Sequence, residues 1–251
     1  MTPFITENRA FIANYTQQAF PLRLRKQSGE YRNSIEQALV NEDFTRVLPT
    51  IPNPISRQGV IDCFNQGLYE GFIATLLWGG KHLEQFAGFQ NIIKQNCTAD
   101  IIAKLGNVKS LLENNRIALA YDSMLPHQPN HIKGVNASFF TKLLYFLSSG
   151  INLPHKPLIL DNVLQWTRCA FMIEAGANYI MYYSLNNDEL QINQNNYNGN
   201  IYTNYINTMS NKALELDVDP DKLEAFLFST CPLQNGIVPR QFVKNYVINN
   251  F

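Results

Sequence analysis

Apolar residues recur at steps of three and four positions along most of this chain, and this periodicity restricts its fold more than any other feature. Helices that bury one face have this spacing, whereas the alternation typical of strands is scarce here. Asp219-Pro220 adds a helix start, because Asp caps a helix and Pro fits its first turn. The sequence therefore predicts an all-α fold, with helices over residues 58–78, 86–95, 99–122, 137–149, 162–184, 201–216 and 220–230.

Two segments lack this periodicity and indicate how the chain is organised. Residues 47–57 contain three prolines, which favour an irregular linker. Residues 185–200 are rich in Asn, and we interpret them as a surface loop between two helices. We therefore expect a helical N-terminal arm with its proline-rich linker over 1–57, and a helical body over 58–251.

Composition excludes several classes of protein. The chain has 251 residues, with 20 Lys and Arg against 20 Asp and Glu. This balance excludes a uniformly basic nucleic-acid coat, but not a local binding face. Hydrophobic residues make up 45% of the chain and charged residues 16%, which excludes a disordered polyelectrolyte. The longest apolar tracts, such as residues 71–78, are shorter than the ~18 residues that a membrane span needs. The N-terminal residues show no secretion signal, so we expect a cytoplasmic protein with no membrane partner.

Cysteine and histidine spacing gives little support for a metal site. No two of the four cysteines lie at the spacing of a zinc knuckle. His127 and His131 are four positions apart, but Pro126 and Pro129 disfavour the helix that would place them on one face. We expect no metal site.

The segment over 131–171 is the one most informative about chemistry, and it opens with a turn. Gly134 and Asn136, in Lys133-Gly134-Val135-Asn136, are residue types that tolerate positive φ, as a tight turn between helices requires. Such a turn leaves backbone amides free at the next helix's N-terminus, where they can bind a phosphate without net basic charge. An ordinary helix–helix turn is the alternative.

The predicted helix after this turn carries a single charged residue, Lys142. Apolar residues such as Phe140 form one side of the helix, and the polar stripe on the other side comprises Ser138, Lys142, Tyr145 and Ser149. Lys142 is either a surface lysine whose stem lies along apolar surface or an amine facing a cleft. In a cleft, desolvation would favour the neutral, nucleophilic form.

Asp161 ends an apolar run, Leu158-Ile159-Leu160, and directly precedes a segment with helical spacing. We therefore predict that it is the N-cap of that helix, where backbone amides and the helix dipole favour its ionised form. A carboxylate held in this way can also stabilise positive charge that develops on a sugar ring. Capping alone is the alternative.

These residues resemble the helix-hairpin-helix DNA glycosylases, which are folded as two helical lobes around a cleft. The resemblance is closest to the prokaryotic 8-oxoguanine-glycosylase-like proteins, through Phe-Phe-Thr-Lys-Leu-Leu-Tyr-Phe at 139–146 and Leu-Ile-Leu-Asp at 158–161. The 19 positions from Lys142 to Asp161 are similar to the spacing of the catalytic pair in bifunctional oxidised-purine glycosylases. Weaker likenesses at 76–79 and 223–228 extend the resemblance over roughly 70–230.

The resemblance implies a function and a role for each of these residues. Lys142 would attack the sugar, expel a damaged or modified base such as 8-oxoguanine and form a Schiff base, while Asp161 would stabilise the oxocarbenium-like transition state. The turn, with Lys133 and Ser138 beside it, would hold a DNA phosphate and flip the nucleotide out, with no required cofactor beyond a possible structural monovalent cation. Candidates for stacking on the flipped base are Trp78, Phe140, Tyr145 and Trp166.

The sequence departs from the family pattern at two positions. Asn136 stands where the usual hairpin has a second glycine, and Asn can adopt the same left-handed conformation. Residue-by-residue alignment of the hairpin places Ser138, not Lys142, where many of these glycosylases carry the lysine. Lys142 follows one helical turn later, and its long side chain can bring the amine back toward that point. Otherwise the enzyme would be monofunctional, with Asp161 activating a water.

Other functions stay open at this stage. The chain can be a glycosylase of repair or of antiphage defence, a non-catalytic nucleic-acid or nucleotide-binding protein, or an all-α protein adaptor. A DNA-binding face would gather the basic residues of the arm with those that flank the predicted active helix. These residues are Arg23, Arg25, Lys26 and Arg32 in the arm, and Lys133 and Lys156 beside the helix.

Overall fold

The computed structural model describes residues 1–17, 41–79, 92–193 and 197–251. These residues are mostly helical, with one two-stranded sheet, which confirms the predicted all-α class. In chain order the elements are α1 (Thr2–Glu7), α2 (Arg9–Ala13), α3 (Glu42–Val47), a 3-10 turn (Leu48–Thr50), α4 (Arg57–Gln66), α5 (Leu68–Gly79), α6 (Thr98–Glu113), α7 (Ile117–Ser123), α8 (Ala137–Leu147), α9 (Asn162–Glu174), β1 (Tyr183–Asn186), β2 (Glu189–Ile192), α10 (Gly199–Leu216), α11 (Pro220–Phe228) and α12 (Pro239–Asn250). In these ranges, no helix combines the length and apolarity that crossing a membrane demands.

The chain forms two compact units. The terminal unit comprises residues 1–17 and 155–251, and the central unit comprises residues 18–154. The predicted boundary between arm and body at residue 57 stays a prediction, because residues 18–40 lie outside the described part of the chain.

The central unit is built around α8. This helix packs against α4, α5 and α7, and α5 packs in turn against α6. Every residue of α8 from Phe140 to Leu147 is buried, because neighbouring helices cover more than one of its faces. The predicted polar stripe of α8 is therefore largely interior.

The terminal unit joins the two ends of the chain. Helix α9 packs against α11 and α12, and α11 also contacts α2 and α10. From α1, Phe4 stacks on Phe242 at 3.9 Å and on Phe226 at 5.8 Å between ring centroids. Aromatic burial of this kind fastens the N-terminal helices to the C-terminal ones.

Two predicted helices are divided in the structure. The helix predicted over 58–78 is interrupted at Gly67, which ends α4, because glycine is a poor helix former. The helix predicted over 99–122 is interrupted at Asn115, which adopts a left-handed φ of 54°. The amides of Asn115 and Arg116 bond back to the last turn of α6, which is a typical helix stop.

The prediction for residues 162–200 was wrong in two respects. The predicted helix ends at Glu174 rather than residue 184, because Gly176, with φ of 63°, reverses the chain while the amide of Ala177 bonds to Met172 O. The predicted surface loop contains a β-hairpin, β1–β2, instead of irregular chain throughout. Its two turn residues, Asn187 and Asp188, have φ of 49° and 57°, as in the type I′ turns that favour two-residue hairpins.

The outcome of the sequence prediction differs among three further segments. Helix α12 was not predicted, although Pro239 at its start is a usual first-turn residue. The proline-rich segment 47–57 contains the short 3-10 turn and is otherwise mostly irregular. The helix predicted over 86–95 falls mainly on residues outside the described ranges.

Candidate active site and hairpin turn

The segment before α8 forms a tight turn around Gly134. The amide of Val135 donates to Ile132 O at 3.0 Å, and Gly134 has φ of 85°, which confirms the predicted positive φ at this glycine. A Cβ atom at Gly134 would lie 2.8 Å from Cγ1 of Ile92, closer than side chains pack. Both the backbone angle and the lack of space therefore require glycine here.

A buried asparagine holds this turn in place. The side-chain oxygen of Asn96 accepts from the amide of Lys133 at 3.0 Å, and its Nδ2 donates to Lys133 O at 3.0 Å and to Ile92 O at 2.7 Å. Lys104 adds a bond from Nζ to His131 O at 2.8 Å. The backbone entering the turn is therefore fixed from two neighbouring segments.

Asn136 does not adopt the predicted left-handed conformation. Its φ of −89° and ψ of 176° are extended, and its side chain caps α8 by accepting from the amide of Phe139 at 3.3 Å. An N-cap residue needs this extended backbone so that its side-chain oxygen reaches the free amides of the first turn. Asn136 therefore serves as the N-cap of α8 and does not adopt the left-handed conformation expected of a second hairpin glycine.

The turn residues differ in their exposure. Lys133, Gly134 and Asn136 are exposed, whereas Val135 is buried and its amide is already used by the turn. Ser138 is half-buried in the first turn of α8. Gly134 and Asn136 are therefore the exposed residues of the turn at the start of the 11-residue helix α8, while the amide of Val135 closes the turn.

Lys142 lies inside the central unit, so it is not an exposed surface lysine. It is 5% exposed, its Nζ donates to Ser138 O at 2.8 Å, and the ammonium group lies 5.6 Å from the centroid of the Phe139 ring. The side chain folds back along α8 by one turn. Its amine is therefore brought back to the backbone of Ser138, one helical turn earlier.

Gly79, the last residue of α5, leaves room for this side chain. A Cβ atom at Gly79 would lie 3.0 Å from Cδ of Lys142 and 3.0 Å from Cε1 of Phe139. Contacts this short require the neighbours to move. Gly79 was not predicted as a site residue, although it lies in the segment 76–79 that carries part of the resemblance.

Asp161 caps α9 as predicted. Its Oδ1 accepts from the amides of Val163 at 3.0 Å and Leu164 at 3.2 Å, and the side chain is 8% exposed. Both capping bonds involve the same oxygen, so Oδ2 takes no part in the cap. Asp161 belongs to the terminal unit, whereas Lys142 and the turn belong to the central one.

Three side chains that hold the backbone in front of Asp161 were not predicted from the sequence. The hydroxyl of Tyr202 donates to Leu158 O at 2.6 Å, and that of Tyr205 donates to Ile159 O at 3.0 Å. Glu224 accepts from the amide of Ile159 at 3.1 Å. Burial raises the pKa of Tyr205 well above its usual value, so this phenol stays a neutral donor. The apolar run 158–160 is thus fixed by hydrogen bonds from α10 and α11.

The four aromatic candidates for base stacking fall in two places. In the central unit, Trp78, Phe140 and Tyr145 are buried, and Trp78 packs edge-on against Phe146. The guanidinium of Arg57 lies 5.6 Å from the Trp78 ring and 5.0 Å from the Tyr145 ring. In the terminal unit, Trp166 is half-buried, with Lys244 Nζ at 5.4 Å from its ring. Their role in stacking stays a prediction.

The basic residues are only partly described. The arm residues Arg23, Arg25, Lys26 and Arg32 lie outside the described ranges, so their grouping stays a prediction. Lys133 is exposed, whereas Lys156 forms an ion pair with Asp221 at 2.8 Å. Lys156 therefore has a partner within its own unit.

No cluster of three or more His, Cys, Asp or Glu side chains suited to a metal ion occurs in the ranges that the structure describes. A monovalent cation at the hairpin stays a prediction.

A known protein family matches most of the chain. The model of the family described as "Putative 8-oxoguanine DNA glycosylase OGG-like protein" matches residues 14–228. No curated protein and no solved structure matches the chain. The matched range includes the turn, Lys142, Asp161 and the three side chains that hold the segment before Asp161.

Proposed function

Because this chain belongs to the OGG-like 8-oxoguanine DNA glycosylase family, we propose that it excises a damaged or modified base from DNA with Lys142 as its nucleophile. Membership supports a glycosylase-like function and a DNA substrate in general. The base and the mechanism are the finer parts of the proposal, and they are argued from the individual residues described above.

The observation that carries the proposal is the path of the Lys142 side chain. Hairpin alignment puts Ser138 where many of these enzymes have their lysine, which would leave the chain without a nucleophile at that point. The 2.8 Å bond from Lys142 Nζ to Ser138 O supports Lys142 as the replacement, because it returns the amine to the same helical turn. A buried lysine that returns its amine to this position is suited to the covalent route.

The reaction begins at C1′ of the deoxyribose. The neutral amine of Lys142 forms a C–N bond there while the N-glycosidic bond breaks, and the base leaves with the bonding electron pair and takes up a proton. The proton taken up by the base comes from this amine. The second amine proton then passes to O4′ as the C1′–O4′ bond breaks and the C=N double bond of a Schiff base forms, from which the strand can be cleaved. The carboxylate of Asp161 stabilises the positive charge that the sugar develops.

The turn before α8 supplies the contact to the DNA backbone. The exposed residues Gly134 and Asn136 and the positive end of the α8 dipole bind one phosphate, and the exposed Lys133 adds a positive charge. This contact holds the strand while the target nucleotide is flipped out. An oxidised purine such as 8-oxoguanine and a modified base in phage DNA are the substrate classes to compare, for a role in repair or in antiphage defence.

Borohydride trapping tests the covalent route. The protein is incubated with labelled duplexes that carry 8-oxoguanine, an abasic site or a panel of modified cytosines, and is then reduced. We expect a covalent complex that Lys142→Ala abolishes and that Lys109→Ala, the removal of an exposed lysine on α6, leaves intact. The substrate that gives the most adduct identifies the base class.

Two results would change the assignment. Base release without an adduct, lost in Asp161→Asn, would indicate a monofunctional enzyme in which Asp161 activates a water. Binding with neither adduct nor released base on any duplex would indicate a non-catalytic DNA-binding protein.

A further inference from the structure

Arg168, on α9 of the terminal unit, is a buried cation that the proposed reaction does not use. It is 6% exposed and surrounded by three tyrosine rings. Its guanidinium carbon lies 4.8 Å from the ring centroid of Tyr182, 5.2 Å from that of Tyr197 and 5.5 Å from that of Tyr183. Cation–π contacts offset only part of the cost of burying this charge.

All the hydrogen bonds that Arg168 makes with the described residues come from one nitrogen of its guanidinium group. Nη1 donates to the hydroxyls of Tyr183 and Tyr197, at 2.8 Å each. The two hydroxyls in turn donate to Oε1 of Gln165, which orients them toward the arginine as acceptors. Within the described ranges, Nε and Nη2 bond to no protein atom, so a second edge of the fork is available to a ligand.

The charge of Arg168 is not neutralised locally. No carboxylate in the described ranges forms an ion pair with it, and burial raises the pKa values of both Tyr183 and Tyr197, so these phenols are not anionic. A buried guanidinium without a counter-charge favours the binding of an oxyanion, which would supply the missing negative charge.

Arg168 also lines a cavity of about 460 Å³ within the terminal unit. This volume is within the usual range for small-molecule sites. Phe171, Met172 and Tyr182 contribute apolar and aromatic surface to it, while Asn204 and Thr208 contribute hydrogen-bonding groups. The cavity therefore combines one cation with a surface suited to a flat ring and polar groups suited to the ring's edge.

We infer that this cavity binds a nucleotide, with the phosphate on Arg168 and the base against Tyr182 and Phe171. Arginine's planar fork matches a phosphate in two contacts, and aromatic rings stack on any base. The choice of a nucleotide over other flat oxyanions rests on the proposed function in DNA. The ligand is either a free mononucleotide or the phosphorylated end of a DNA strand, which present the same chemistry.

Calorimetric titration with dGMP, deoxyguanosine and inorganic phosphate tests this inference on the full chain. We expect dGMP to bind at least tenfold more tightly than deoxyguanosine or phosphate. Arg168→Gln should remove the preference for the phosphorylated ligand, and Thr208→Phe, which fills the cavity, should weaken dGMP binding without changing the charge. Arg240→Gln, which removes an exposed cation from the same unit, should bind like the wild type.

The two sources of the nucleotide are separated by competition. Displacement of dGMP by a 5′-phosphorylated single strand, but not by its unphosphorylated form, supports a DNA end as the ligand, and no displacement supports a free mononucleotide. Absence of dGMP binding to the wild type, equal binding of phosphate alone, or unchanged binding in both Arg168→Gln and Thr208→Phe would overturn the inference. The titration measures binding without turnover, so its outcome is separate from that of borohydride trapping, which tests the proposed glycosylase.

Discussion

Removing the hydroxyl of Tyr202 tests whether the backbone before Asp161 is held from α10. Tyr202 and Leu158 are both fully buried, and their hydrogen bond is 2.6 Å long. Tyr202→Phe keeps the ring and its packing but leaves the carbonyl of Leu158 without this donor. No water can easily replace the hydroxyl at such a site, so the buried carbonyl loses its partner.

The expected cost follows from that burial. An unsatisfied buried acceptor destabilises a protein by about 1–3 kcal/mol, compared with about 0.5–1.5 kcal/mol for an average hydrogen bond. In a chain of this length, such a loss corresponds to a decrease in Tm of roughly 2–4 °C per kcal/mol. Because Leu158 lies three residues before Asp161, we also expect slower base release from the folded variant at 25 °C.

Thermal unfolding followed by circular dichroism measures the first effect, and single-turnover base release measures the second. Tyr179→Phe is the matched control, since the Tyr179 hydroxyl donates to Phe251 O at 3.0 Å in a partly exposed place where water can take over. We expect that control to lose less than about 0.5 kcal/mol. Equal Tm values for the two variants, or a destabilised Tyr202→Phe with wild-type base release, would refute the argument that this bond positions Asp161.

Further predictions concern the lysine, the aspartate and the thiols. Gly79→Ala should displace the Lys142 stem and reduce the amount of adduct trapped by borohydride. Gly106→Ala is the control, because its new Cβ would meet its nearest neighbour at 3.9 Å, and it should leave trapping unchanged. Equal trapping in both variants would contradict the packing argument. Asp161→Asn should keep the helix cap, because Asn caps as well as Asp, and lower base release on the order of 100-fold, as a single-turnover assay would show; wild-type release would remove the carboxylate from the mechanism. Burial raises the pKa of the Cys63 thiol to about 11 and that of the Cys169 thiol to about 12, whereas Cys97 and Cys231 are exposed. A thiol reagent at neutral pH should therefore label only Cys97 and Cys231 in the native protein. Equal labelling of all four cysteines would contradict the packing.

Local signals in the sequence predicted the features that depend on a few consecutive residues. The cap at Asp161, the helix start at Asp219-Pro220 and the positive φ of Gly134 each follow from a residue type and its immediate neighbours. The helix interruptions at Gly67 and Asn115 also depend on local residues, but they were not predicted because the apolar periodicity continues across both positions. Periodicity reports which residues can be buried, and it does not report where the backbone changes direction.

The site could be predicted only as far as its chemistry lies within one segment. Lys142 was identified from its own helix, but its burial depends on α5 ending in a residue without a side chain, which no pattern within α8 can indicate. Tyr202, Tyr205 and Glu224 act on residues 44, 46 and 65 positions away. Their residue types are ordinary for helices, so only the folded chain distinguishes them from other core side chains.

The conformation of Asn136 explains how the turn differs from the hairpin that the resemblance predicts. With Asn136 extended and capping α8, the second left-handed residue of the usual hairpin is absent, and the helix begins directly after it. Capping by the side chain uses the amide of Phe139, and the lysine stands four residues beyond the alignment position with its amine returned to Ser138 O. A replacement of Asn136 by Gly therefore should not restore the family geometry. It should weaken the cap by a few tenths of a kcal/mol, as unfolding would measure, and leave borohydride trapping by Lys142 unchanged. Increased trapping in that variant would mean that the turn, and not the lysine's path, limits the reaction.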